Sequence, residues 1–269
     1  MNIAFYRQKI RVQRYPLLYF IGSCVLFVVL VLFSRWLEPV LSRDGVFYLQ
    51  MVEVWLREGS CRAMLTHCAW MGGVPAFPLF LIKILADCGI SPEVAGVGIS
   101  LFTGSTLPLL VYLMAQEIQS DKRVSLAAAL LMTFNPAMIE LAREVQRDML
   151  YIGLCGWAIF FGMKGLLQKK VWPWIPAGIL GALSALTRYE TFELIPILLV
   201  TFLIFGLKKT ISWKKICQQS SIFTVACVLT GFCMILIMGT LDLVVDAYPR
   251  YFKNVMTDFA HKITPGEKK

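Results

Sequence analysis

Charged residues are scarce in this chain, and acidic residues are scarcer than basic ones. Of its 269 residues only 16% are charged, whereas 58% are hydrophobic. A soluble globular domain carries about 25% charged residues, and a single water-soluble core cannot hide this much apolar surface. The excess must face lipid. The composition excludes an ordinary soluble domain and predicts an all-α, polytopic membrane protein without internal repeats or low-complexity segments.

Features that bind metal or nucleic acid are equally sparse. Cys61, His67 and Cys68 share one loop, but a metal site needs more ligands at better spacing. A disulfide between Cys61 and Cys68 is an alternative interpretation if that loop faces an oxidising compartment. The sequence therefore supports no cofactor and no metal site, and a divalent metal stays open only as an unsupported alternative. The net charge of +9 comes from short clusters without a basic groove or interleaved aromatics, so no nucleic-acid partner is expected.

Seven apolar runs predict about seven membrane spans in a transmembrane module, residues 17–240. The first run, Leu17–Ser34, follows a basic N-terminus, residues 1–16. It is too long for a signal-peptide core and is expected to remain in the membrane as a signal anchor. The further spans are predicted near residues 94–116, 124–140, 149–167, 173–188, 190–207 and 218–240.

The distribution of basic residues predicts the orientation of these spans, because cytoplasmic loops carry an excess of Lys and Arg. With a cytoplasmic N-terminus, the cytoplasmic joints all carry Lys or Arg; they are residues 119–123, 164–170 and 208–215. The opposite joints hold most of the acids; they are residues 35–93, 140–148 and 188–190. The same alternation places the C-terminus outside, in what we expect to be a bacterial inner membrane.

Three amphipathic segments are predicted to lie on the outer surface instead of crossing the membrane. Two belong to the first outer loop, residues 35–93. Residues 45–58 carry apolar side chains on one helical face, namely Phe47, Met51, Val54 and Trp55. Residues 73–93 are apolar but broken by two prolines and by Lys83. The third is the tail, residues 241–269, in which charge recurs too often for an eighth span.

The polar residues of the outer joints converge at one predicted membrane depth, which indicates a charged cavity. The candidates are Asp44, Arg143, Arg147, Asp148, Arg188, Tyr189 and Glu190. Simpler interpretations stay open for some of them. Asp44 can be a solvated loop charge, Arg143 and Arg147 can reach lipid headgroups, and Asp148 can stabilise the N-terminus of a helix.

Four stretches give the chain a resemblance to the GT-C membrane glycosyltransferases over about residues 17–207. More narrowly, it resembles the branch of the dolichyl-phosphate-mannose protein mannosyltransferases and bacterial polyprenyl-phosphate-sugar transferases. The stretches match in order and spacing, and they are "SRDGVFYLQMVEVW", "GVPAFPLFLIKILADCGIS", "AREVQRDMLYIGL" and "GILGALSALTRYETFELIPILL". The chain departs from the pattern at Gly45, where many relatives have a second acid. It also ends after seven spans where relatives usually have more, which suggests a truncated or reduced member.

The resemblance implies a function and a set of site residues. It implies transfer of a sugar from a polyprenyl-phosphate donor to an acceptor hydroxyl on the periplasmic or lumenal side. Asp44 takes the position of the catalytic acid in the first loop, and Asp148 that of the acid opening the fourth span. Arg188 takes the position of the basic residue near the donor phosphate. The remaining expected substrate-binding residues are Arg143, Arg147, Tyr189, Glu190 and Lys83.

The residue types suit this chemistry independently of the resemblance. A carboxylate can take the proton of an acceptor hydroxyl, and the planar fork of Arg suits a leaving phosphate. The lipid chain needs an apolar groove between spans. Two other interpretations stay open, which are a non-catalytic or truncated relative acting as an assembly subunit and a carrier of a lipid or anion. Carriers usually show paired halves with polar groups at mid-membrane, and this sequence shows neither.

Overall fold

The structure, a computed structural model, describes residues 21–39, 41–61, 64, 76–118, 121–188, 190–191, 194–207 and 211–238. These residues form helices and short connections without a strand, which confirms the all-α prediction. The helices are α1 (Ile21–Leu37), α2 (Arg43–Glu58), α3 (Ala76–Asp87), α4 (Pro92–Ile118), α5 (Lys122–Thr133), α6 (Pro136–Arg143), α7 (Arg147–Leu167), α8 (Trp174–Ala185), α9 (Leu194–Leu207) and α10 (Trp213–Met238).

Several predicted features lie outside the described residues. They are the basic N-terminus, Tyr189, the loop that carries His67 and Cys68, and the tail of residues 241–269.

Some predicted spans match helices that are long enough to cross a membrane, and others match shorter helices. Three helices are long and apolar enough to cross a membrane: α4, α7 and α10. Helices α1 and α8 are apolar but shorter, and α9 has 14 residues. The chain is therefore an integral membrane protein with several apolar helices, while the count of about seven spans is not confirmed.

The span predicted at residues 124–140 corresponds to two helices, because the chain bends by 52° between α5 and α6. Asn135 ends one helix and begins the next. Its side-chain oxygen accepts hydrogen bonds from the backbone N–H groups of Ala137 and Met138, at 3.1 and 3.3 Å. Pro136 occupies the first turn of α6, where its missing N–H is no loss. Counted together as one broken span, α5 and α6 raise the number of candidate spans from three to four.

Helices α4 and α7 lie side by side in the same direction, which gives the bundle two distinct ends. At their beginnings, Gly96 packs against Val145. Midway, the indole N–H of Trp157 donates to the Thr106 hydroxyl at 3.1 Å. At their far ends, the Gln168 amide donates to a carboxylate oxygen of Glu117 at 3.2 Å. We call the end where both helices begin the site end, and the other the basic end.

The remaining helices connect these two ends. Helix α1 reaches the site end, where the Arg35 guanidinium donates to the Arg143 carbonyl oxygen at 2.9 Å. Helix α8 begins at the basic end with Trp174 packed against Gly165 and leads back to the site end. Helix α10 begins beside the same glycine, because the Gln219 amide donates to the Gly165 carbonyl oxygen at 3.2 Å.

Helices α2 and α3 form a layer at the site end, packed on the start of α4. Helix α2 begins at Arg43 because Ser42 accepts a hydrogen bond from the Gly45 N–H at 3.2 Å, a helix N-cap. It ends at Gly59, whose φ of 69° is left-handed and favours glycine. Its buried face carries Gly45, Tyr48, Met51, Val52 and Trp55.

The predicted apolar face of residues 45–58 was partly wrong. Met51 and Trp55 are buried, whereas Phe47 and Val54 are only part-buried and pack at the edge of this cluster. Tyr48 and Val52 replace them, so the buried face is rotated around the helix axis relative to the prediction.

Candidate functional site

Asp44 lies in the first turn of α2, exposed to solvent at the site end of the bundle. The Ser42 cap determines where this turn begins, and an acid there is favoured by the positive end of the helix dipole. The carboxylate is therefore held on a fixed helical position while remaining accessible to another molecule. A catalytic base needs both properties.

Asp148, Arg188 and Glu190 form one ion-pair group that joins two elements. Asp148 lies in the first turn of α7, and Arg188 follows the end of α8. The Arg188 guanidinium donates to the Asp148 carboxylate with one terminal nitrogen and to Glu190 with the other, at 2.7 Å for the second contact. Hydrogen bonding to Arg188 lowers the pKa of Glu190, so this carboxylate stays charged at neutral pH.

The remaining surroundings of Arg188 fix its orientation. Its guanidinium carbon lies 5.7 Å from the centre of the Tyr151 ring, close enough for a cation–π contact. Its Nε atom is buried and has no hydrogen-bond partner within the described residues. Because both terminal nitrogens already face carboxylates, Arg188 is a positive group that is partly neutralised by its own neighbours.

Tyr48 lies near these charged groups, and the sequence analysis did not single it out. Only 7% of this residue is exposed. Burial raises the pKa of its hydroxyl, which also interacts electrostatically with Arg147, Asp44, Asp148 and Arg188. Groups from all three predicted outer joints therefore lie within electrostatic reach of one hydroxyl. The available signal was spacing, since Tyr48 follows Asp44 by four residues and shares its helical face.

A small, mostly apolar cavity lies beside Tyr48 and Arg147, and its walls include Pro78, Leu79 and Val145. The cavity measures about 20 Å³, enough for about one water-sized group. The Ser100 hydroxyl donates to the Gln146 carbonyl oxygen at 3.4 Å, which ties the α6–α7 connection to α4. Within the described residues, Arg147 forms no ion pair or hydrogen bond with its guanidinium, unlike Arg188.

An apolar cleft of about 400 Å³ begins beside this cavity and lies between α3, α4 and α7. Ile99 and Leu150 line both spaces. Farther along, its walls are apolar side chains such as Leu81, Phe102 and Trp157. The cleft offers an apolar channel for a hydrocarbon chain beside the charged end of the bundle.

Two predicted binding residues are engaged elsewhere. Arg143 donates to the Ser34 hydroxyl at 3.1 Å and forms an ion pair with Glu38 at 2.8 Å, both around the end of α1. Lys83 forms an ion pair with Asp87, one turn later in α3, at 2.5 Å. Neither contact joins the group around Tyr48. Their substrate-binding roles stay predictions.

No group of three or more His, Cys, Asp or Glu side chains among the described residues is arranged to hold a metal ion. Cys61 is free, while its predicted disulfide partner, Cys68, lies outside the described residues.

The fold and this cluster define a class, namely helical integral membrane proteins with a charged site at one end of an apolar bundle. The family model of the dolichyl-phosphate-mannose-protein mannosyltransferases matches residues 74–240. The chain belongs to that family, a GT-C type of membrane glycosyltransferase, which confirms the resemblance found in the sequence. The match contains Asp148 and Arg188, whereas Asp44 precedes it. A comparison with individually curated proteins gave no match.

Proposed function

We propose that this membrane glycosyltransferase moves a sugar from a polyprenyl-phosphate donor to an acceptor hydroxyl at the outer face of a bacterial inner membrane. The observation that carries this proposal is that the Arg188–Asp148 ion pair, at the start of α7, lies at the same end of the bundle as the exposed Asp44 carboxylate. Such a site combines a carboxylate that accepts a proton with cations that stabilise a leaving phosphate. The apolar cleft beside it suits the donor's polyprenyl chain.

Asp44 acts as the base in this proposal. It takes the proton of the acceptor hydroxyl, whose oxygen forms a bond to the sugar's anomeric carbon. The bond from that carbon to the phosphate oxygen breaks, and polyprenyl monophosphate leaves with the bonding electrons. Asp44 suits this role because it is the exposed carboxylate of the group, while Asp148 is paired with Arg188.

Asp148 and Arg188 serve the donor side of the site. Arg188 supplies positive charge for the phosphate that gains electrons as the bond breaks. Asp148 holds Arg188 in place from the first turn of α7, and Glu190 does so from the connection after α8. No step in this proposal requires a metal or another cofactor.

The test is transfer of radiolabel from a polyprenyl-phosphate sugar in membranes that contain or lack the protein. Asp44→Asn keeps the side-chain size and removes the base, so we expect transfer to fall by roughly 100- to 10,000-fold. Glu53→Gln is the matched control, because it removes another exposed carboxylate from α2 and should leave transfer unchanged. Wild-type turnover of Asp44→Asn would remove Asp44 from the mechanism. Absence of transfer by the unaltered protein with its acceptor supplied would favour a non-catalytic relative.

A further inference from the structure

The basic end of the bundle carries a group of lysines in two segments, the turn after α7 and the first turn of α10. They are Lys169, Lys170, Lys214 and Lys215. Among the residues that the structure describes, no carboxylate forms an ion pair with any of the four. Glu117, an acid at the same end, already accepts a hydrogen bond from the Gln168 amide. Like charges held near one another are destabilising, so this surface favours an anionic ligand.

Buried contacts hold the two lysine segments together. The Gln219 side chain is fully buried, and its amide donates to the Lys170 carbonyl oxygen at 3.2 Å. Lys215 precedes Gln219 by four residues and therefore lies on the same face of α10, one turn nearer its beginning. Ile216 packs in one apolar cluster with Trp174, the first residue of α8. The start of α10 is thus fixed beside the turn after α7, and lysines from distant parts of the chain share one surface.

The backbone of Lys169 is unusual for a residue with a side chain. Its φ of 52° is left-handed, and within the described ranges it is the only non-glycine residue with a positive φ. Its N–H donates to the Leu166 carbonyl oxygen, and the Lys170 N–H donates to that of Gly165. These two bonds close the end of α7 in an arrangement whose left-handed position glycine usually occupies. Lysine costs stability there that glycine would not, which favours a binding role for its side chain.

Two exposed tryptophans indicate what this surface meets. Trp172 lies just after the turn and Trp213 begins α10, and each is 52% exposed. Exposed indole rings at the ends of apolar helices are typical of the membrane–water interface. The lysines beside them therefore lie at the level of phospholipid headgroups. A phospholipid bound there can extend its acyl chains along α10, whose apolar stretch is only 11% buried inside the protein.

We propose that the turn after α7 and the start of α10 together form a binding site for the headgroup of an anionic phospholipid. Lys169, Lys170 and Lys215 supply the positive charge that attracts its phosphate. The inference does not depend on the proposed function, because this site lies at the opposite end of the bundle from Asp44. A lipid bound there contacts α7 and α10 at once and stabilises their junction.

The test is native mass spectrometry of the full-length protein in a neutral detergent, titrated with phosphatidylglycerol or with zwitterionic phosphatidylcholine. The unaltered protein should bind phosphatidylglycerol more tightly. Lys169→Gln should lower that affinity about five-fold, the effect of one lysine near anionic lipid. Replacing Lys169, Lys170 and Lys215 together by Gln should lower it by roughly 100-fold. Phosphatidylcholine binding should not change in either variant.

Arg57→Gln is the matched control, because it removes one positive charge from the exposed last turn of α2 at the opposite end. It should bind phosphatidylglycerol normally. An equal loss in this control would mean that net charge alone attracts the lipid, and would overturn the site. Equal affinity of the unaltered protein for the two phospholipids would do the same. Glycerophosphoglycerol has the headgroup without acyl chains and should compete weakly, whereas strong competition would identify a soluble-anion site and overturn the lipid assignment.

Lys169→Gly separates ligand binding from a structural role of the side chain. Glycine suits the left-handed backbone, so the melting temperature without anionic lipid should rise by about 2–4 °C. Phosphatidylglycerol affinity should nevertheless fall as far as in Lys169→Gln. A lower melting temperature together with weaker lipid binding would mean that the substitution disturbs the turn, and would overturn the proposal. Unchanged lipid affinity in Lys169→Gly would remove Lys169 from the site.

Discussion

At the residue scale, the site depends on how two arginines differ. Arg188 faces two carboxylates and a tyrosine ring, whereas Arg147 has no carboxylate partner within the described residues. The first is held rigidly and neutralised in part, and the second is available to a ligand. A sequence presents both simply as basic residues in an outer joint.

Arg188→Ala should weaken donor binding by the 1.5–3 kcal/mol typical of hydrogen bonds to charged groups, which is roughly 10- to 150-fold in affinity. The substitution removes positive charge and leaves Asp148 and Glu190 to repel a phosphate. Binding of polyprenyl monophosphate in nanodiscs measures the effect. Arg57→Ala is the control, because this exposed arginine lies in the last turn of α2 and pairs with the adjacent Glu58. A change confined to acceptor affinity would assign Arg188 to the acceptor side.

The residues of the site were predictable to different degrees. Asp44, Asp148 and Arg188 attracted attention because charge is rare in this chain and expensive near lipid. Tyr48 did not, because an aromatic residue in an apolar helix has an ordinary packing role. Its importance comes from electrostatic interactions with Arg147, Asp148 and Arg188, which lie far along the chain and which no local pattern contains.

At the scale of the helices, close packing between α4 and α7 depends on small residues. A Cβ atom added at Gly153 would collide with the Thr103 methyl group. The helices can therefore approach closely at this level, as small residues permit in membranes.

Gly153→Ala should destabilise the protein by about 1–3 kcal/mol, since overpacking forces side chains or backbone to shift. Thr103→Ser removes the colliding methyl group and keeps the hydroxyl, which donates to the Ile99 carbonyl oxygen at 2.7 Å. The double variant should therefore recover most of the lost stability. Thermal unfolding in detergent measures all three proteins.

Gly231→Ala in α10 is the control for these variants, because an added Cβ meets nothing within 4 Å there. An equal loss of stability at Gly231 would mean that glycine acts through backbone flexibility and not through the α4–α7 contact.

The positions of the helices were predictable from the lengths of the apolar runs, but the bends between helices were harder to predict. The composition predicts helices wherever apolar runs are long, and α4 and α7 fall close to their predicted ranges. The bend between α5 and α6 has a local signal, the Asn135–Pro136 pair, which is typical of a turn. Apolar residues continue on both sides of that pair, so hydrophobicity alone hides the break.

At the scale of the whole molecule, the orientation in the membrane is still a prediction. The structure gives the bundle two ends, with Asp44, Asp148 and Arg188 at one and the Lys169–Lys170 turn at the other. Which end faces the cytoplasm depends on the positive-inside rule.

Labelling with a membrane-impermeant thiol reagent in intact cells measures this orientation. In a variant whose native cysteines are replaced by serine, His261→Cys should react from outside, because the tail is predicted to be extracytoplasmic. Ser212→Cys, in the basic joint before α10, is the matched control and should react only after the membrane is opened. The reverse pattern would place the charged site in the cytoplasm and overturn outer-face transfer.

The apolar cleft between α3, α4 and α7 has a consequence for kinetics. Phe102 on its wall is 74% exposed, so the cleft is open at the bundle's side, toward the surrounding hydrocarbon. A donor entering there diffuses laterally within the leaflet and never crosses bulk water. The concentration that governs its encounter rate is then its mole fraction among the lipids. Diluting the donor with inert phospholipid should slow turnover, whereas diluting the whole suspension with buffer should not.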